Sequence, residues 1–263
     1  ASAKVTVHGA VPVARRGVTA PSVRGGPNKS RYALRSMKPS AEHLPARPAE
    51  AHALAVARTI PATRIVCTTS GRGQAAHALA IERPDAAVVA WFLDRHPCDA
   101  AVAAWAPVPA NLTAACVADM PSGPHDLAVV PLAKDGEAEL SRDILQAALA
   151  NLAIGGHLVA AIDNPHDTWL HGQLAATGET VRVRPAAGAN PKSKTGTIAY
   201  LVEKTSAPAR MRDFSCEVVF RDRGNLLTAF TRPGVFAHRR IDPGARHLLN
   251  AVDVAPDTRV LDI

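Results

Sequence analysis

Short apolar runs alternate with helical stretches between Ala49 and Glu203 of this 263-residue chain. The runs are rich in Val, Ile, Leu and Ala, and the stretches between them have the apolar spacing of helices. This alternation predicts a parallel sheet that is covered by helices on both faces. The predicted strands are Arg64–Thr68, Ala87–Leu93, Asn111–Val117, Asp126–Pro131, His157–Ile162, Thr180–Arg184 and Thr197–Glu203, and the predicted helices are Ala51–Ile60, Gln74–Glu82, Asp99–Trp105, Glu137–Leu152 and Asp167–Ala176.

The end of this region departs from the alternation. Only the loop Pro185–Gly196 joins the last two predicted strands, so we expect an antiparallel strand at one edge of the sheet. Gly155-Gly156 is expected to end the helix that starts at Glu137. Seven strands with this finish are typical of the α/β, Rossmann-like doubly wound fold of class I methyltransferases rather than of the six-stranded dinucleotide fold.

An octet in this region recurs at the end of the sequence. Pro61–Thr68 reads PATRIVCT and Pro256–Ile263 reads PDTRVLDI, at an offset of 256 − 61 = 195 residues. Each octet follows a helical stretch and lies where a first strand should begin. The repeat predicts a degenerate copy of the fold over residues 48–205, and a linker with the first elements of a second copy over residues 206–263.

The positive charge of the chain is concentrated in residues 1–47. They hold nine Lys and Arg against one acid, a sum of +8, so the remainder sums to −1 within the net charge of +7. The stretch is rich in Pro, Gly, Ser and Arg and has no apolar period, so we expect a basic disordered leader. A basic arm that contacts RNA phosphates and an organelle transit peptide are the alternatives. Without a transit peptide we expect a cytoplasmic protein.

Cysteine and histidine spacing gives no support to a metal site. The four cysteines form no C-x-x-C pair, and the eleven histidines show no H-E-x-x-H spacing, so we expect reduced thiols and no metal. No apolar run approaches the roughly 18–20 residues of a membrane span, so no membrane association is expected.

The most specific motif lies in residues 231–263. Thr231-Arg-Pro-Gly-Val-Phe236 is followed by Ile241-Asp-Pro-Gly-Ala245, by Leu248-Leu249 and by Val260-Leu-Asp-Ile263. This series resembles the linker of the two-domain small-subunit ribosomal RNA guanine-N2 methyltransferases, in which P-G-V-F…L-D-x-G-x-x-L-L leads into V-L-D-(V/I)-G-C-G. The resemblance runs from about residue 60 to residue 263.

The resemblance implies an enzyme that uses S-adenosylmethionine to methylate the exocyclic amine of a guanine in small-subunit ribosomal RNA, with that RNA and the small ribosomal subunit as partners. In this family the amino-terminal domain is a decayed duplicate that supports folding and RNA binding. The carboxyl-terminal domain carries the cofactor and a catalytic Asn-Pro-Pro-Phe motif, so no catalytic residue is expected in this chain.

Site residues follow from the same resemblance. The cofactor site would be completed only beyond residue 263, and the matching positions here are Phe236, Asp242 and Asp262. The candidates for RNA contact are Arg239, Arg240, Lys192 and Lys194.

The first copy has lost parts of the expected cofactor turn. Cys67 stands at the position of Asp262, and only two glycines remain at the three positions Thr69, Gly71 and Gly73. Glycines allow such a turn to approach a cofactor closely, although a strand-to-helix turn needs them for its own geometry as well.

Two carboxylates and one proline of the first copy lie at positions where cofactor-binding or catalytic residues are expected. Asp94 lies where a ribose-binding acid is expected and Asp119 near the adenine position, although an ordinary surface role also fits both. Pro131 replaces the catalytic asparagine and has neither an amide side chain nor a backbone N–H. This copy is therefore expected to be inactive.

Two other classes of function remain open. One is a stand-alone, non-catalytic RNA-binding module that ends at Ile263, although an unpaired strand Arg259–Ile263 would be a poor terminus. The other is a different Rossmann-like enzyme that binds its cofactor at Gly71 and Gly73. A Gly-x-Gly-x-Gly turn encoded directly after Ile263 would favour the methyltransferase.

Overall fold

The computed structural model describes residues 45–69, 72–188, 190, 192–208, 211–255 and 257–259, together with the backbone of residues 3–4. The remainder of the basic leader lies outside the described residues. The elements are β1 (Ala3–Lys4), α1 (Pro48–Ala57), β2 (Arg64–Thr68), α2 (Gln74–Glu82), β3 (Ala87–Phe92), α3 (Arg95–Ala104), β4 (Leu112–Cys116), β5 (His125–Leu132), α4 (Ala138–Asn151), β6 (Leu152–Ile162), α5 (Trp169–Ala175), β7 (Val181–Pro185), β8 (Ile198–Glu203), β9 (Cys216–Asp222), β10 (Asn225–Thr231) and α6 (Pro243–Ala251).

Seven strands form one sheet in the order β4-β3-β2-β5-β6-β8-β7. The neighbours from β4 to β6 are parallel, whereas β8 is antiparallel to both β6 and β7. An antiparallel strand is present as expected, but it is β8, one strand in from the edge, and the edge strand β7 runs in the same direction as β6. The doubly wound, seven-stranded α/β fold is confirmed.

Successive strand residues contribute to two separate cores. Ile65 and Cys67 of β2 pack with α1, α2 and α3 on one face, whereas Val66 packs with α4 and α5 on the other. Adjacent side chains of a strand point to opposite faces, so a strand covered on both faces must be apolar throughout. This is why the central strands were readable as uninterrupted apolar runs.

The role expected for Gly155-Gly156 was wrong. Helix α4 ends at Asn151 and β6 begins at once, so Gly155 and Gly156 lie inside β6 instead of ending the helix. The register of β5 and β6 shifts between His125 and Leu127 at this point. A side chain on Gly156 would meet three carbonyl oxygens at 2.9–3.2 Å, so glycine is needed for the irregular pairing.

A second sheet follows the seven-stranded one. Strands β9 and β10 form an antiparallel hairpin, and the short β1 pairs in parallel with β10. Arg223 and Gly224 make the turn with φ values of 47° and 84°, as a two-residue hairpin turn requires. Among the described residues, no helix has the length and apolar content needed to cross a membrane.

Candidate functional site

The carboxyl ends of the parallel strands open onto a cleft. Doubly wound sheets bind their ligands at this edge, so it is the first place to look for a site. The cleft has a volume of about 340 Å³, which is at the lower end of the range of small-molecule sites. Its lining includes Thr69 after β2, Asp94 after β3 and Pro131 near the end of β5. Three positions singled out from the sequence therefore meet in one cleft.

Pro131 is tolerated in a central strand because β5 is paired on one side only at this point. The pairing of β2 with β5 ends at Cys67 and Val129, while the pairing with β6 continues through Pro131 opposite Ala161. Pro131 is buried and offers no amide to the cleft. A base placed here would find no side-chain hydrogen bond at this position.

The turn into α2 is packed by the protein's own side chains. Gly73 precedes α2 with a left-handed φ of 62°. A Cβ at Gly73 would lie 2.6 Å from Cζ2 of Trp105 and 3.2 Å from Cζ of Phe92. Trp105 is itself buried and stacks on His77, with the ring centroids 6.0 Å apart. Internal packing and the positive φ therefore account for this glycine, whereas Gly71 lies outside the described residues.

A buried carboxylate occupies the amino-terminal end of α2. Glu50 of α1 is 1 % exposed, and its Oε1 accepts a hydrogen bond of 2.9 Å from the backbone N–H of Ala75. Burial raises the pKa of Glu50, and hydrogen bonds from the backbone of Ala75 and Gln74 partly oppose that rise. The amino-terminal end of a helix attracts anions, so Glu50 fills from inside a place where an external anion could bind.

Cys67 adds to the apolar character of this end of the site. Its thiol is 1 % exposed, and burial raises the pKa of Cys67 far above its usual range, with the nearby Glu50 adding to the rise. A neutral thiol cannot accept hydrogen bonds as the carboxylate of an aspartate would. The position equivalent to Asp262 is therefore unable to hold the amino group of a cofactor by charge.

The 195-residue repeat extends to the helices that precede the two octets. Helix α1 begins at Pro48 and α6 begins at Pro243, an offset of 243 − 48 = 195 residues. The same offset pairs Glu50 with Ala245 and Leu54 with Leu249. The acid that fills the end of α2 in the first copy is thus an alanine in the second.

The candidate cofactor residues of the second copy lie outside the cleft. Asp242 is the N-cap of α6, where its Oδ2 accepts a hydrogen bond of 2.8 Å from the N–H of Ala245. Phe236 is 83 % exposed in the segment between β10 and α6. Asp262 lies outside the described residues.

Acids of the first copy form ion pairs with two of the three arginines of the 231–242 segment. Arg232 makes an ion pair of 2.7 Å with Asp119 and one of 3.4 Å with Asp143. Arg239 makes one of 2.8 Å with Glu139, and the hydrogen bond in that pair raises the pKa of Arg239 and lowers that of Glu139. The Asp119 carboxylate therefore binds the linker instead of facing the cleft.

The four RNA-contact candidates differ in their surroundings. Arg239 is paired with Glu139, whereas Arg240 is exposed and makes no ion pair with a described residue. Lys192 and Lys194 are exposed in the loop between β7 and β8, also without an ion pair among the described residues.

Sequence reasoning missed Glu50 and Trp105. Glu50 lies in the first turn of a helix that is otherwise apolar or neutral, PAEAHALAVA, and this isolation was the available signal. Trp105 gave no signal of its own because its contact with Gly73 depends on the packing of α3 against α2. In the part of the chain that the structure describes, no three His, Cys, Asp or Glu side chains are grouped to hold a metal ion.

Solved structures identify the fold. The chain is similar to the T. thermophilus 16S rRNA N2 G1207 methyltransferase in complex with AdoMet and guanosine, with a TM-score of 0.58 and 22 % identity over 78 % of this chain. The chain spans about half the length of that structure, 52 %. At this identity the likeness shows the fold, which is that of class I methyltransferases.

A weaker similarity was found with an rRNA methylase from Streptococcus thermophilus, with a TM-score of 0.45 and 17 % identity over 62 % of this chain and 99 % of that chain. Another was found with TrmN from Thermus thermophilus, with a TM-score of 0.44 and 19 % identity over 59 % of this chain and 48 % of that chain. No family model matches the sequence, and no curated protein matches it significantly.

Proposed function

We propose that this chain is the amino-terminal part of an S-adenosylmethionine-dependent RNA methyltransferase that acts on the exocyclic amine of a guanine in small-subunit ribosomal RNA. The observation that carries the proposal is the unequal repeat. A complete class I fold, closed at its cofactor turn, is followed after 195 residues by a helix with the same start, in which Ala245 stands at the position of Glu50.

The two copies would have different roles. Residues 48–205 would be the non-catalytic domain that supports folding and RNA binding, and residues 206–263 the linker and first elements of the catalytic domain. Two features of the first copy argue that it does not bind the cofactor: the carboxylate of Glu50 on α2 and the neutral thiol of Cys67. The missing amide at Pro131 argues that it does not hold a target base.

The second copy would hold the cofactor, whose sulfonium supplies the methyl group. Ala245 replaces Glu50 there, so the backbone N–H groups that Glu50 fills in the first copy would be free to bind the cofactor's carboxylate. Asp242 would order the start of α6, and Phe236 and Asp262 would line the cofactor on the evidence of the family resemblance. Ribosomal RNA, the small ribosomal subunit and a cytoplasmic or organellar location rest on the same resemblance.

The proposal is tested with the product of the complete gene. Small ribosomal subunits from cells that lack the gene should gain N2-methylguanosine when they are incubated with that product and S-adenosylmethionine, as measured by mass spectrometry of nucleosides. A variant in which the asparagine of the expected Asn-Pro-Pro-Phe motif is replaced by alanine is the control. Methylation of another nucleoside, or of protein, would contradict the assigned substrate.

This chain by itself should bind no S-adenosylmethionine and transfer no methyl group. Isothermal titration calorimetry with the purified chain measures cofactor binding. Incubation with labelled S-adenosylmethionine and small ribosomal subunits measures methyl transfer. Binding in the micromolar range would restore the rival cofactor site at Gly71 and Gly73, against which the packing of Trp105 on Gly73 now argues.

A stand-alone RNA-binding module is the second candidate, because exposed cations without ion pairs lie between β7 and β8. The same gene product distinguishes the two candidates. RNA binding without any methyl transfer by the complete product would favour the module.

A further inference from the structure

We propose that four cations of the β7–β8 hairpin, Arg182, Arg184, Lys192 and Lys194, form a surface that binds the phosphate backbone of RNA. This inference rests on the proposed function for its partner, and it adds two arginines that the sequence did not single out. The four residues are called the hairpin cations below.

The strand register places the two arginines on one face of the sheet. Arg182 lies opposite Leu201 and Arg184 opposite Ala199, and both of these partners belong to the core beneath α1. Val181 packs instead on the opposite core, with α4 and α5. Arg182 and Arg184 therefore extend the α1 face of the sheet beyond its covered part, about 7 Å apart along the strand.

The loop that carries the two lysines is fixed to this end of the domain. His166, after β6, hydrogen-bonds the carbonyl oxygen of Ser193 at 2.7 Å, and His52 of α1 lies 2.8 Å from the hydroxyl of Thr197. The loop thus lies at the carboxyl edge of the parallel strands, where the cleft opens. Lys192 and Lys194 are exposed in this loop, beyond the end of β7 that carries Arg184.

The hairpin cations have no paired acid among the described residues. None of the four makes an ion pair within the described part of the chain, whereas many other surface arginines do: Arg58, Arg64, Arg95, Arg223, Arg232 and Arg239. Unpaired cations on a rigid strand and a fixed loop need no carboxylate to be displaced before they bind phosphate.

Glu203 is the acid nearest to the group by strand register, since it lies on the same face as Arg182, two residues beyond Leu201 on β8. Asp163 accepts a hydrogen bond from the N–H of Ala49, and Glu203 lies 4.0 Å from the ring of His157 at the far end of β8. The acid of α1, Glu50, is buried beneath α2. The face presented to a ligand is therefore basic.

The composition of the surface indicates how RNA would be bound. No aromatic side chain lies among residues 181–197, so bases would have no stacking partner there. Binding should then be governed by phosphate contacts, independent of sequence and sensitive to salt. Such contacts position an RNA and leave the choice of nucleotide to another part of the enzyme.

The experiment uses the full chain and a short single-stranded RNA of mixed sequence, with affinity measured by fluorescence anisotropy at several salt concentrations. The variants are Arg182→Gln with Arg184→Gln, Lys192→Gln with Lys194→Gln, and all four together. The matched control is Arg58→Gln with Arg95→Gln, which removes two exposed arginines that are held in ion pairs elsewhere.

If all four cations contact phosphates, the slope of log K against log salt should fall by up to about 2.8 in the fourfold variant, at about 0.7 for each contact with a single strand. Each double variant should lose about half of that, and the affinity of the fourfold variant at low salt should drop by about tenfold or more. The control should keep the slope of the unmodified chain. A single cooperative urea transition and an unchanged circular dichroism spectrum for every variant establish that the fold is intact.

Two results would overturn the proposal. The first is a fourfold variant with unchanged affinity and slope. The second is the same unchanged binding together with dimerisation of the fourfold variant. That outcome would mean that the cations prevent the exposed edge strand β7 from pairing with another chain. Neither result bears on methylation by the complete gene product, so the surface and the proposed function can fail separately.

Discussion

Helix α1 begins at Pro48 and packs Ala53 and Leu54 against the sheet, whereas α6 begins at Pro243 and leaves Leu248 and Leu249 62 % and 49 % exposed. The helix starts differ as well. The N–H of Ala49 donates to Asp163 from another part of the domain, while α6 uses its own Asp242 as a cap. One helix is built into a sheet, and the other is stabilised by local contacts.

The difference shows that two helices with similar apolar positions can be packed to very different extents. None of the residues of α6 is buried in the described structure, yet its apolar positions repeat those of α1. Most helical stability in proteins comes from packing such a face. Matched substitutions at positions 195 residues apart therefore measure what the sheet contributes to each helix.

The largest effect is expected for leucine truncation. Leu54→Ala should lower the free energy of unfolding by about 2–3 kcal/mol, because it removes a nearly buried side chain from the core. Leu249→Ala should change it by no more than about 0.5 kcal/mol, as surface substitutions do. Urea unfolding followed by circular dichroism measures both.

Equal losses for the two variants would contradict the comparison. They would mean that α6 is packed as firmly as α1 in solution. In the complete gene product, by contrast, Leu249→Ala should become as costly as Leu54→Ala if α6 covers a second sheet.

The strands and helices were predictable because their signals are local. Helix Gln74–Glu82 has the ends that the sequence predicted, and Arg64–Thr68 was recognised as a buried apolar run. The start of α1 was predicted at Ala51, three residues late, although Pro48 in the first turn is a common helix start. Boundaries of this kind depend on tertiary partners such as Asp163.

The site was harder to predict because its decisive contacts join distant residues. The sequence suggested that the turn of the first copy had decayed, but not that Glu50 reaches the N–H of Ala75, 25 residues later. It also proposed Arg239 for RNA contact, without a sign that Glu139, 100 residues earlier, holds it. Charge patterns identify cations, whereas only the fold identifies which of them are paired.

A smaller effect is expected from removing the charge of Glu50. Burial raises the pKa of Glu50 in the folded state above its unfolded value, so folding favours the protonated form. The stability that this group contributes is therefore complete below the unfolded pKa and is lost as the pH rises through the folded value. Glu50→Gln removes the titration but keeps an oxygen that can accept from Ala75. From acid to neutral pH, the unmodified chain should lose stability relative to this variant.

Glu82 supplies a control with the opposite sign. Its pKa is lowered, chiefly by the hydrogen bond from Arg58. Its contribution to stability is present above the unfolded pKa and is lost as the pH falls through the folded value. In urea titrations across the same pH range, Glu82→Gln and Glu50→Gln should thus diverge in opposite directions from the unmodified chain. Parallel curves would show that Glu50 is not buried as a carboxylate.

The smallest effect concerns the arginines of the two octets, Arg64 and Arg259. Arg64 makes an ion pair of 2.5 Å with Asp126, whose other oxygen accepts from the N–H groups of Thr63 and Arg64. The hydrogen bond from Arg64 is the main reason that the pKa of Asp126 lies far below its usual range. Arg259 is exposed and makes no ion pair within the described part of the chain.

Arg64→Gln should lower the free energy of unfolding slightly but measurably, since the ion pair is partly exposed and screened by solvent. The loss should shrink as the pH falls through the folded pKa of Asp126, because a protonated carboxyl no longer attracts the guanidinium. Arg259→Gln should have no measurable effect in this chain. Urea unfolding of both variants at low and high salt measures the difference, which should narrow at high salt. If Arg259→Gln were as costly as Arg64→Gln here, the second octet would already be paired like the first, and the contrast between the two copies would fail at this position.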